Sequence, residues 1–71
     1  MTKVQAQIVL AMADNDMNIA AVGKALYFHR SSLIYQFDRI ARKTGKDPRV
    51  FRDLVDLIPM AEKVLAEKES G

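Results

Sequence analysis

Leu33, Phe37, Ile40 and Ala41 recur at i, i+4, i+7 and i+8, a spacing that a 3.6-residue period gathers into one apolar stripe along a helix of about four turns. A strand would turn Ile40 away from the other three, so the pattern excludes extended structure here. Advancing about 100° per residue from the stripe places Ser31, Tyr35, Asp38, Arg39 and Arg42 on the far side, with Ser32 beside them. Residues 29–43 therefore read as an amphipathic helix whose outward face is polar, aromatic and cationic. Thr44-Gly45 should end it, with the glycine at the position that favours a left-handed backbone and Arg42 and Lys43 placed well against the helix dipole.

The flanking segments are helical too. Val4, Ile8, Ala11 and Met12 share a face over residues 3–13, with Thr2 available as N-cap. Asp14-Asn15-Asp16 competes for backbone hydrogen bonds and should turn the chain. Asn18 caps a second short helix in which Ile19, Val22 and Leu26 form the apolar stripe. Gly23 costs that helix up to about 1 kcal/mol relative to alanine, which implies close approach of another helix. Tyr27-Phe28 breaks the pattern and is expected to pack in the core or at its rim. Asp47-Pro48 should open a fourth helix as N-cap and N1, burying Val50, Leu54, Leu57 and Ile58. Pro59 should end or kink it, leaving residues 60–69, with Met60, Val64 and Leu65, as a weakly amphipathic last piece. The expectation is one all-α domain over residues 1–71, a small bundle of four to five helices around a helix-turn-helix core at 18–45.

A chain of 71 residues without cysteine and with one histidine must rely on helix packing or self-association, since neither a disulfide framework nor a thiolate zinc site is available. No apolar run approaches the roughly 18 residues of a membrane span, and a cytoplasmic protein is expected. The net charge of +2 is small, yet it is unevenly spread. Residues 29–52 hold seven cationic side chains against Asp38 and Asp47, while residues 53–71 hold five acids against Lys63 and Lys68. Cations gathered in one segment attract a polyanion even when the whole molecule is nearly neutral.

Two helices joined by a short turn, the second polar from its first turn onward, suit the major groove of duplex DNA. Arg30 is the candidate for a bidentate guanine contact, because its guanidinium donors match the two acceptors of that base. Ser31, Ser32 and Tyr35 are placed for bases or phosphates, and Arg39 and Arg42, further along, for phosphates. His29 stands at the start of the helix, as a cap, as packing beside Leu26 or as a phosphate contact. The two serines have no base to activate them, and Asp53 and Asp56 read as a solvated acidic pair. Neither catalysis nor a metal, cofactor or small-molecule site is indicated.

The span Asn18 to Gly45 also resembles the PucR-type helix-turn-helix family of transcription regulators. The likeness runs through Asn18, Leu26, Phe28-His29-Arg30-Ser31-Ser32-Leu33, Tyr35-Gln36-Phe37, Arg39-Ile40 and Thr44-Gly45 without a gap. A weaker likeness to the DNA-binding end of the factor for inversion stimulation points to the same docking. The resemblance implies that Arg30, Ser32 and Tyr35 meet DNA, and with Gln36 in the docking helix the candidate set is His29, Arg30, Ser31, Ser32, Tyr35, Gln36, Arg39 and Arg42. The chain departs from that pattern at Gly23, where alanine is usual, at Ser31-Ser32, which replaces Asn-Thr, and at Ile34 and Gln36, where arginines are common. Two fewer cations would lower the salt dependence of binding by about two units.

Such readers usually end a longer sensory protein, so a free-standing regulator or an excised domain is the expectation for this chain. Double-stranded DNA is the expected partner and a homodimer the expected form, with Phe51, Val55, Met60, Val64 and Leu65 as its surface. The alternative is a helical protein-interaction module, adaptor or antitoxin-like, that kept the fold without reading DNA; Ile34, Gln36 and the acidic tail favour it.

Overall fold

The chain is described by a computed structural model covering residues 1–70, with side chains through Glu67. The described residues form four helices, α1 Lys3–Asp14, α2 Ile19–Leu26, α3 Arg30–Thr44 and α4 Phe51–Ser70.

Thr2 starts α1 through a capping box. Its Oγ1 accepts the Gln5 backbone N–H at 3.1 Å while the Gln5 side-chain oxygen accepts the Thr2 N–H at 3.0 Å. Asn15 stops the helix by donating its side-chain amide to the Ala11 carbonyl at 2.8 Å. Asp16 and Met17 then take left-handed backbones, φ 53° and 62°, which lets the Met17 N–H reach back to the Met12 carbonyl at 2.7 Å. Asn18 caps α2 through an acceptor bond from the Ala21 N–H at 3.0 Å.

Gly23 serves a closer approach than helix–helix packing. A Cβ there would meet the carbonyl oxygen of Phe28 at 2.9 Å and Leu33 Cδ1 at 3.7 Å, so it is the turn after α2 that needs the space. The turn is tight because Tyr27 adopts φ 60° and the Phe28 N–H donates to the Gly23 carbonyl at 2.9 Å. Tyr27 does not pack at the core or its rim, as its neighbour Phe28 does; it is 95 % exposed.

The α3 stripe packs as its period requires, with Leu33, Phe37 and Ile40 buried, and Gly45 ends the helix at φ 75°. The start of α4 differs from expectation. Asp47-Pro48 does not open the helix; it makes a turn in which the Asp47 carboxylate accepts the Arg49 N–H at 2.8 Å and the Val50 N–H donates to the Asp47 carbonyl at 3.0 Å. Asx turns of this kind compete directly with helix initiation. Pro48 is buried in the turn, and Val50, expected inside, is 49 % exposed. Asp53 and Asp56 are more than solvated surface. Asp53 accepts the Asp47 N–H at 3.0 Å, and Asp56 pairs with the Lys46 ammonium at 3.0 Å, so both bind the α3–α4 turn to α4.

Pro59 does not end α4, and the last helical piece is its continuation. Proline removes the hydrogen bond to the Val55 carbonyl, but Leu57 and Ala61 on either side are fully buried, and their packing carries the helix across. α4 lies along α1 in the most extensive helix pair, while α2 and α3 complete the bundle. At about 1.5 Å per residue its 20 residues account for the 32 Å long dimension. Among the described residues no helix is long and apolar enough to cross a membrane.

Candidate nucleic-acid interface

The burial of one side of α3 leaves the other side free. Ser31, Ser32, Tyr35, Asp38, Arg39 and Arg42 are all exposed, along the strip that helical spacing assigns to them. Two of these side chains are ordered by each other. Arg39 Nη1 donates to the Tyr35 hydroxyl at 3.2 Å, and the guanidinium lies 5.7 Å from the centre of the Tyr35 ring. An i, i+4 pair of this kind limits the rotamers of both side chains while leaving the charge at the surface.

Arg30 is also exposed, but it stands about 100° round the helix from Ser31 and looks towards α2. There it joins His29, Lys24 and Tyr27 along an open groove of about 600 Å³ floored by Ile19, Ala20, Gly23 and Phe28. His29 takes the N-cap position of α3 without making a side-chain cap bond, so the positive end of the helix dipole faces outward beside two cations. Gln36 falls outside this constellation. It is half-buried on the flank facing α1, where its Oε1 accepts from the Gln5 amide at 3.2 Å.

Tertiary contacts also select which cations remain available. Lys46 is paired with Asp56 and Arg49 with both Asp38 and Asp47, whereas Arg30, Arg39, Arg42, Lys43 and Arg52 carry no ion pair among the described residues. Arg49 is the most constrained of the set. Its pKa is raised, first by the hydrogen bond to Asp47 and then by Asp38, and the same bond from Arg49 holds the Asp47 carboxyl below its ordinary value.

Sequence reasoning did not single out Lys24, Tyr27 or Arg49. Lys24 was legible as a cation in the last turn of α2. Tyr27 was not, because tyrosine carries no preference for the left-handed backbone that turns it outward. Arg49 lies far in sequence from the strip that it touches.

Two helices meeting at a tight turn, the second buried along one side and open along a cationic other side, define a helix-turn-helix domain. Residues 6–58, well over half of the chain, match the PucR C-terminal helix-turn-helix domain, and the chain belongs to that family. No curated protein and no solved structure matches it significantly.

Proposed function

We propose that this domain binds duplex DNA in a sequence-dependent manner, with α3 in the major groove, as the reading module of a transcription regulator. The observation that carries the reading is the two-sided character of α3. Leu33, Phe37 and Ile40 are sealed in the core while Ser31, Tyr35, Arg39 and Arg42 stay exposed on the opposite strip. In this reading Arg30, at the leading end, meets base edges, and Ser31, Ser32 and Tyr35 contact bases or the near phosphates. Arg39 and Arg42 bind phosphates, supplying affinity without sequence information. His29, Lys24 and Tyr27 extend the phosphate-facing surface towards α2, and the open N-terminus of α3 favours an anion in the same place.

Binding to mixed and selected duplexes as a function of salt tests this. Arg30→Ala should relax sequence preference by about 1–3 kcal/mol at one position, whereas Arg39→Ala should weaken all duplexes alike and lower the salt slope by about one. A native chain without salt-dependent affinity for any duplex would refute the assignment, and would favour a protein partner instead.

We further propose that the domain acts as a homodimer, since one short helix reads too few base pairs for useful discrimination. The surface in view is narrower than the sequence suggests. Phe51, Val55 and Ile58 line a second groove with Ala13 and Met17, but Met60 lies about 180° round α4 from Phe51 and does not share that face. Sedimentation should show a dimer that Phe51→Glu dissociates; a monomer at high concentration would remove this part.

A further inference from the structure

We propose that Arg49 acts as a charge-offsetting and positioning residue for the DNA-facing strip, holding the Asp38 carboxylate in a pair so that phosphates meet less of its negative charge. The inference rests on the DNA-binding reading above and adds to it a residue outside α3. Asp38 lies in the middle of the strip, three residues after Tyr35 and four before Arg42, and its side chain is 54 % exposed. A bare carboxylate there would repel the polyanion that its neighbours attract.

Arg49 reaches it from the turn between α3 and α4. Nη2 donates to Asp38 Oδ1 at 2.8 Å and to Asp47 Oδ2 at 2.9 Å, and Nε donates to Asp47 Oδ1 at 2.9 Å. The guanidinium also stands 5.5 Å from the centre of the ring of Phe37, which is fully buried. Asp47 thus fixes the fork by two bonds and the ring backs it, leaving one Nη2 hydrogen aimed at Asp38. That arrangement is preorganised, unlike a surface pair that must order two free side chains. The Asp47 turn that displaces the start of α4 to Phe51 is what puts Arg49 within reach.

The test is a cycle of Arg49→Ala, Asp38→Asn and the double variant, titrated with duplex DNA selected by the native chain at several salt concentrations, with thermal unfolding of each variant measured alongside. Arg49→Ala should weaken binding about tenfold at low salt, with the loss shrinking as salt rises. Arg49→Lys, which keeps the charge without the fork, should lose no more than about threefold. The double variant should bind within about twofold of Asp38→Asn alone, because the carboxylate through which Arg49 acts is then gone, a non-additivity that neither a merely structural role nor a direct phosphate contact of Arg49 gives. Asp38→Asn alone, at an exposed site that does not threaten folding, should tighten binding by several fold, about one added unit of effective charge on the strip.

A double variant about tenfold weaker than Asp38→Asn would overturn the proposal and make Arg49 a direct phosphate contact or a structural residue. Asp38→Asn that weakens binding would overturn it too, and would make Asp38 a reader of a base amino group. Both results leave DNA binding itself standing, whereas a native chain that binds no duplex removes the two readings together.

Discussion

The backbone of α2 at Gly23 and the carbonyl of Phe28 are so close that a Cβ on Gly23 would stand 2.9 Å from that oxygen. Hydrogen bonding draws them together, since the Phe28 N–H donates to the Gly23 carbonyl at 2.9 Å. The contact sets how sharply the chain turns from α2 into α3. Alanine at this position gains up to about 1 kcal/mol of helix propensity and incurs about 1–3 kcal/mol of overpacking against backbone that cannot rotate away. Gly23→Ala should therefore destabilise the domain by about 1 kcal/mol in urea unfolding; an unchanged or raised midpoint would show that the turn yields freely.

Gln36 belongs to the α1–α3 contact, and its substitution should separate stability from binding. Gln36→Ala strips the acceptor from the amide of Gln5, which is 2 % exposed. The expected cost is about 1–2 kcal/mol of stability. Duplex affinity of the folded protein and its salt slope should not move. A lowered slope with unchanged stability would return Gln36 to the set of DNA contacts.

Pro59 is exposed in the interior of α4, where nothing in the packing requires it. Restoring an N–H for the Val55 carbonyl recovers about 3 kcal/mol of helix propensity, less about 1 kcal/mol for the freer unfolded chain. Pro59→Ala should raise stability by about 2 kcal/mol, read as a higher thermal midpoint. A lower midpoint would mean that proline shapes the contact between α4 and α1.

The Asp47 carboxyl is held below its ordinary pKa chiefly by its hydrogen bond from Arg49. A depressed folded-state pKa contributes stability that is present above the unfolded value and is lost as pH falls through the folded value. The α3–α4 turn should therefore loosen below about pH 4 and be indifferent to pH between about 6 and 8. Amide exchange at Val50, whose N–H donates to the Asp47 carbonyl, should report the acid opening, and Asp47→Asn should flatten the profile. Acid-insensitive exchange there would argue against the Arg49 fork as the anchor.

The family resemblance over Asn18 to Gly45 was legible because the turn and the first residues of α3 are local, and the match over residues 6–58 extends it into α1 and α4. The exposed strip was equally legible, since Ser31, Tyr35, Arg39 and Arg42 follow from helical period alone. Gln36 was not legible as a partner of Gln5 for a physical reason. It lies at the border of the strip, where a half-buried side chain is decided by its neighbour, and Gln5 is 31 residues away.

Local chemistry in the chain itself determined the first three helices, the Thr2 and Asn18 caps, the stop at Gly45 and the face that α3 buries. Each depends on residues within a few positions of one another, which a 3.6-residue period and side-chain hydrogen bonding suffice to specify. Only the tertiary structure decided that α4 begins at Phe51 and passes through Pro59, that Tyr27 turns outward, and which carboxylates Lys46 and Arg49 pair with. The course of α4 and the ion pairs rest on burial of Leu57 and Ala61 and on Arg49 spanning from Asp47 to Asp38, and Tyr27 is turned out by the close approach of Gly23 and Phe28; each contact outweighs the local preference at its site.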